Sequence, residues 1–159
     1  ILASMNSIGI LERSYTSSRL QLRVNNMHIS LDRLDEAHEA LLTETKTLIE
    51  TLTQTLSLYV QDSASHSLQA LPEYLKGLSG AALFLGSSAQ QTALLTAANF
   101  AQNRLNQNLA LDAEQVNCIL NVVAGLDLLV DNLKNKQPVL QSMFDVALSS
   151  SQQLQNIAA

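Results

Sequence analysis

From residue 30 onward, apolar residues recur at alternating spacings of three and four, the period of an amphipathic helix. This spacing predicts one long helix that begins at Ser30, a favourable helix cap, and ends at about residue 61. Residues 5–29 carry apolar positions at irregular spacing, and two consecutive asparagines at residues 25 and 26 indicate a break. The regular positions of the long helix are Leu31, Leu34, His38, Leu41, Thr45, Leu48 and Leu52.

The same period predicts three further helices in the core of the fold, over residues 66–85, 88–107 and 112–135. Because Pro72 is disfavoured inside a helix, either a short turn at residues 66–70 precedes the first of these helices proper, or that helix is kinked there. Gly86 is placed to end the first of them, and the serines that follow it are placed to begin the second. Asp112 and Gln115 form a capping box at the start of the third. Pro138 fits the first turn of a final helix that carries Met143, Phe144 and Leu154.

No segment alternates polar and apolar residues with a period of two, so the sequence predicts an all-α protein. The short connections between the predicted helices force neighbours to be antiparallel. We therefore expect an up-down antiparallel bundle with a four-helix core and flanking N- and C-terminal helices. As a division into domains, residues 1–29 form a partly helical extension, and residues 30–159 form the helical bundle.

Residues 71–86, LPEYLKGLSGAALFLG, hold three of the five glycines of the chain in an otherwise helical segment. A glycine inside a helix costs about 1 kcal/mol relative to alanine, so its presence needs a reason. Gly77 and Gly80 are three apart and lie on one face. They admit either the close approach of a neighbouring helix within the chain or the docking of a partner, and the sequence leaves both open.

Composition narrows the list of partners. The chain of 159 residues has a net charge of -5, and its nine lysines and arginines form no run, so we expect no nucleic-acid partner. Cys118 is the single cysteine, which excludes an internal disulfide and fits a reducing compartment. No run of eighteen apolar residues and no secretion signal is present. These features predict a cytoplasmic protein without membrane insertion.

The segment EYLKG, residues 73–77, resembles the HxLKG core of histidine phosphotransfer domains, including the first domain of chemotaxis-type histidine kinases. Residues 109–133 are similar to the fifth helix of that family. Residues 56–69 also resemble the inactive N-terminal modules of twitching-motility chemosensory kinases and their standalone relatives. The resemblance covers about residues 31–135 and implies a helical bundle that docks a receiver domain or another signalling protein.

Glu73 stands where the resemblance expects the phosphoacceptor histidine. Phosphotransfer needs an exposed imidazole that accepts and releases a phosphoryl group, and a carboxylate does not do this at neutral pH. The resemblance therefore implies a degenerate phosphoacceptor position at Glu73 in a chain that is not an enzyme. Lys76, Gly77 and Gly80 remain as the candidate partner-docking residues.

The histidines and the cysteine are better explained as structural or surface residues than as catalytic ones. His66, in HSLQA, imitates the motif loosely, but Ala70 replaces its glycine and Pro72 interrupts the helix, so His66 is the weaker phosphoacceptor candidate. His38 is expected to be a partly buried structural histidine, and Cys118 a packing residue. The scattered histidines and the cysteine lack ligand spacing, so we expect neither a metal site nor a cofactor.

Three classes of function remain open on the sequence. The first is a non-catalytic protein-interaction module of a bacterial signalling system, which resembles an inactive phosphotransfer domain. The second is a helical assembly or chaperone-like structural protein, supported by the low charge and the long heptad-like helix. The third is an active phosphotransfer protein that uses His66.

Overall fold

The computed structural model describes residues 17–63 and 67–158, with side chains over 35–63 and 67–157. In these ranges the chain forms five α-helices and one short 3₁₀ helix, without a strand. The predicted all-α helical bundle is confirmed. The helices are α1 (Ser17–Gln61), α2 (Leu71–Phe84), α3 (Ser88–Asn106), α4 (Ala113–Lys134), the 3₁₀ helix (Gln141–Phe144) and α5 (Asp145–Ala158).

Helix α1 begins at Ser17 rather than at residue 30, and the predicted break at residues 25 and 26 is wrong. The stripe of apolar residues continues backwards from Leu31 through Met27, Val24 and Leu20 with the same alternation of four and three. Asparagine disfavours a helix by less than about 1 kcal/mol relative to alanine, so two of them do not interrupt such a stripe.

Two compact units divide the chain, Ile1–Leu41 and Leu42–Ala159. The first contributes residues 17–41 of α1, and the second contains the rest of α1 and all later helices. The predicted domain boundary between residues 29 and 30 falls within α1 and stays a prediction.

Helix α2 begins at Leu71, five residues after the predicted residue 66. Pro72 occupies the first turn, where its missing N–H costs nothing, and a proline ring blocks the extension of a helix further toward the N-terminus. At the other end Gly86 adopts a φ of 94°, and the N–H groups of Gly86 and Ser87 donate to the carbonyls of Leu83 and Ala82. This arrangement is a Schellman motif, and it confirms Gly86 as the residue that ends the helix.

The predicted starts of α3 and α4 are confirmed by their caps. The Ser87 hydroxyl accepts a hydrogen bond from the backbone N–H of Gln90. The Asp112 carboxylate accepts from the N–H of Gln115, whose side chain accepts from the N–H of Asp112 in return. The prediction for Pro138 is wrong, because residues 137–140 are not helical and α5 begins only at Asp145, after the 3₁₀ turn.

The core lies between α2, α3, α4, α5 and the C-terminal part of α1. Helix α2 packs on α3, and α5 packs on both α3 and α4. Helix α1 runs antiparallel to α4, because Lys46 reaches Asp127 and Asp131 while Tyr59, further along α1, reaches the backbone of Leu111 just before α4. The largest side chains of the core with less than 2% exposure are Leu42, Leu52, Leu56, Leu75, Leu78, Leu94, Ile119, Leu126 and Leu154.

Polar contacts join the helices at a few points. The Lys46 ammonium lies 2.6 Å from an Asp127 carboxylate oxygen and 3.0 Å from one of Asp131. The hydrogen bonds to these two carboxylates raise the pKa of Lys46 above its usual range, although burial acts in the opposite direction. Asn121 of α4 donates to the Ser150 hydroxyl of α5 at 3.1 Å. These contacts fix the register of α1 and α5 against α4.

Helix α4 has the length and apolar composition of a membrane-spanning helix. Half of its most apolar window is buried inside the bundle, and the central helix of a water-soluble bundle meets the same criteria. Val122, Ile119 and Leu126 are fully buried against other helices. The apolar character of α4 is therefore explained by its place in the core.

Candidate docking face

The sequence-predicted docking residues lie together on the outer face of α2. Leu71, Leu75 and Leu78 turn into the core, with exposures of 3% or less. The opposite side of the helix remains exposed, and it includes the degenerate phosphoacceptor position. We call this surface the docking face. It consists of Glu73, Tyr74, Lys76, Gly77, Gly80, Leu83 and Phe84.

The two glycines of the docking face are open to the outside. A Cβ atom added to Gly77 or to Gly80 meets no other heavy atom within 4 Å, apart from the immediate helix backbone. Of the two explanations that the sequence left open, close approach of a helix within the chain is therefore wrong for the described residues. The docking of a partner stays a prediction, and the open space is compatible with it.

Glu73 and Lys76 form an ion pair of 3.7 Å one turn apart on the docking face. Their side chains are 78% and 47% exposed, so solvent screens the pair and it contributes little to stability. Lys76 therefore carries its charge outward beside a carboxylate, and the pair is close to neutral. A partner that contacts this part of the face meets no strong net charge.

Apolar side chains complete the docking face. Tyr74 stands near its start, with Leu83 and Phe84 at its end, and their exposures are 37%, 44% and 47%. The face thus has an exposed aromatic residue before and after its two open glycines, an arrangement suited to protein contact. Sequence reasoning named the glycines but missed these three residues. The signal for them was their spacing from the glycines: Tyr74 is three residues before Gly77, and Leu83 and Phe84 are three and four residues after Gly80.

The other candidates do not join this site. His66 lies outside the described residues. His38 is half-buried in α1, and Cys118 is buried in α4, where burial raises the pKa of its thiol and disfavours the thiolate. Among residues 17–63 and 67–158, no group of three histidine, cysteine, aspartate or glutamate side chains is placed to hold a metal ion.

The side chains of the docking face offer hydrogen-bonding and apolar groups to a partner. Glu73 is an acceptor of hydrogen bonds when ionised, Lys76 is a donor, and Tyr74 offers a hydroxyl at the edge of an apolar ring. The glycines leave backbone exposed for close approach. A surface of this kind is suited to contact with another protein.

Comparison with known proteins gives the chain its family. The family model of the FimL C-terminal domain matches residues 32–151, which is 120 of the 159 residues. Neither a curated protein nor a solved structure matches the chain significantly. The matched family is a scaffold-type signalling family in the context of twitching motility, and it is not a known catalytic one. The matched range covers the docking face, all of α2, α3 and α4, and parts of α1 and α5. The chain therefore belongs to the FimL C-terminal domain family.

Proposed function

We propose that this chain is a non-catalytic adaptor domain of a bacterial signalling system, which binds a receiver domain through the docking face of α2. The observation that carries the proposal is the pair of open glycines between exposed Tyr74 and Phe84. Membership of the FimL C-terminal domain family supports a role in signalling. The resemblance of EYLKG to the phosphotransfer motif supports the receiver domain as partner, and such a partner implies a cytoplasmic location.

Substitution of the glycines tests the docking face. Gly77→Leu and Gly80→Leu place bulky side chains on the docking face, where an added Cβ meets no heavy atom within 4 Å apart from the immediate helix backbone. We therefore expect the fold to remain stable while a partner loses its close approach. Ala124→Leu, at an exposed position of α4, is the matched control. We expect the two glycine variants to lose binding to the receiver domains of the same organism in a titration, and the control to retain it. Equal binding by all three variants would remove the docking face from the proposal.

The proposal includes the absence of phosphotransfer. Glu73 occupies the position of the phosphoacceptor, and a carboxylate there repels an incoming phosphoryl group. Incubation with a radiolabelled phosphorylated receiver should leave the protein unlabelled. Acid-labile label that disappears in His66→Gln would instead support the active phosphotransfer protein as the function.

A structural or assembly role is the second candidate. Helix α1 is 45 residues long, and its first part belongs to a separate compact unit. A helix of this kind supports pairing with another helix, as in a helical assembly or a chaperone-like protein. Sedimentation equilibrium separates the candidates, since an adaptor that uses only the docking face stays monomeric without its partner, whereas an assembly protein associates with itself.

A further inference from the structure

A cavity of about 100 Å³ opens at the end of the bundle where α1 ends, α2 begins and α3 ends. It lies within the second compact unit, away from the docking face residues. Six of its eight lining residues are leucine or alanine, and the other two are Tyr59 and Arg104. The full lining is Tyr59, Leu68, Leu71, Ala101, Arg104, Leu105, Leu109 and Leu111. An aliphatic pocket with two polar groups is a common form of small-molecule site.

Arg104 carries a positive charge and forms no ion pair with a described residue. Its Nη2 donates to the Ala110 carbonyl at 2.8 Å, and its Cζ lies 5.9 Å from the centroid of the Phe100 ring. Its Nε is buried and has no hydrogen-bond partner among the described residues. None of the ion pairs formed by those residues includes Arg104. A buried donor of a charged group is costly when unpaired, so this arrangement calls for an acceptor.

Tyr59 supplies a second donor at the same cavity. The Tyr59 side chain is nearly buried, and its hydroxyl oxygen accepts a hydrogen bond from the backbone N–H of Leu111 at 3.2 Å. A phenol also carries its own hydrogen, and no described residue accepts it. The polar groups of the cavity are therefore both donors, which favours a ligand with acceptor oxygens and negative charge.

We propose that this cavity binds a small aliphatic monocarboxylate, with the carboxylate at Arg104 and Tyr59 and the hydrocarbon tail against the leucines. The size of the cavity limits the tail. A cavity of about 150 Å³ holds benzene, with its six carbon atoms, so about 100 Å³ holds about four. Butanoate and pentanoate, whose tails have three and four carbon atoms beyond the carboxylate, match this size. Carboxylate binding in this cavity does not depend on the docking face or on its partner.

Titration with a series of sodium carboxylates from acetate to octanoate tests the proposal, followed by backbone NMR shifts and by thermal melting. We expect the tightest binding near butanoate, with shifts concentrated around Leu68, Ala101 and Leu109. Butan-1-ol and butylammonium, which keep the tail but lack the carboxylate, should bind at least about tenfold more weakly, since charge-assisted hydrogen bonds are the stronger kind. This comparison uses the unaltered protein and does not depend on the folding of a variant.

Two substitutions locate the site. Arg104→Gln removes the cation, and Tyr59→Phe removes the hydroxyl, so each should weaken butanoate binding while leaving butan-1-ol unaffected. Lys136→Gln removes an exposed cation that does not line the cavity and should bind butanoate as the original chain does. Equal affinity for butanoate and butan-1-ol, unchanged binding in both cavity variants, or no binding at all would overturn the proposal and assign the cavity to water alone.

Discussion

Glycine occurs inside two helices of this bundle, in open surroundings in one and in tightly packed surroundings in the other. At Gly77 and Gly80 of α2 an added Cβ meets nothing within 4 Å, whereas at Gly125 of α4 it collides with the Gln90 side-chain oxygen and comes within 2.8 Å of the Ala147 Cβ. Gly125 is thus the glycine at which α3 and α5 approach α4. The glycines of α2 keep a surface free, and the glycine of α4 allows a core to close.

The difference between the two places also appears in their polar neighbours. Gln90 is fully buried against α4, where its Nε2 donates to the Val122 carbonyl at 2.6 Å and its Oε1 has no partner in the described chain. On α2, the nearest charges are the screened pair of Glu73 and Lys76. The crossing at Gly125 therefore combines tight packing with a buried amide, and its tolerance for added atoms is low.

The same substitution at the two places gives the largest contrast. Gly125→Leu forces a side chain between α3, α4 and α5, and overpacking of this kind should cost about 3 kcal/mol of unfolding free energy. Gly80→Leu places its Cβ in open space, so the unfolding free energy should not fall by more than about 0.5 kcal/mol. Urea unfolding of the two variants measures both values. Equal losses would show that the two glycines do not differ in packing.

A double-mutant cycle measures how much of the destabilisation at Gly125 comes from Gln90 and how much from Ala147. Gly125→Ala places a Cβ against the Gln90 amide, and Gln90→Ala removes that amide. We expect Gly125→Ala to destabilise the chain by about 1 kcal/mol less in the Gln90→Ala background than in the original one. The contact with Ala147 persists in both backgrounds and accounts for the remaining loss. Additive effects within error would shift the constraint from Gln90 to Ala147.

The sequence was sufficient to predict the class of the fold and the caps. Gly86 and Ser87 mark the turn between α2 and α3, and Asp112 with Gln115 marks the start of α4, because these ends depend on one residue type at one backbone position. The start of α1 was predicted wrongly, since the propensity of two asparagines was given more weight than the apolar stripe that runs through them. The backbone around Pro138 is not helical, and the Pro138 carbonyl accepts a hydrogen bond from the Asn132 side chain of α4. The capping pattern of the sequence does not contain this contact.

The site was predictable only in part for a related reason. Gly77 and Gly80 were found because glycine is unfavourable inside a helix, and Lys76 because it belongs to the EYLKG segment beside them. Gly125 was missed, although Val122 and Leu129 stand three residues before it and four after it, so its face of the helix is apolar. Arg104 and Tyr59 are 45 positions apart in the sequence and meet only through the fold. No local pattern connects such a pair.

Replacement of the open glycines by alanine should produce the smallest effect, with the opposite sign. Gly77→Ala and Gly80→Ala fit a helix without contact, and each reduces the freedom of the unfolded chain, so each should stabilise the protein by about 0.5 kcal/mol. Gly86→Ala is the informative control, because Gly86 has a φ of 94° and an alanine there is strained even though its surroundings are open. Urea unfolding should therefore give a small gain for the first two variants and a loss for the third. A loss at Gly77 or Gly80 would reveal a neighbour that contacts the docking face in solution, and it would place these glycines in the same class as Gly125.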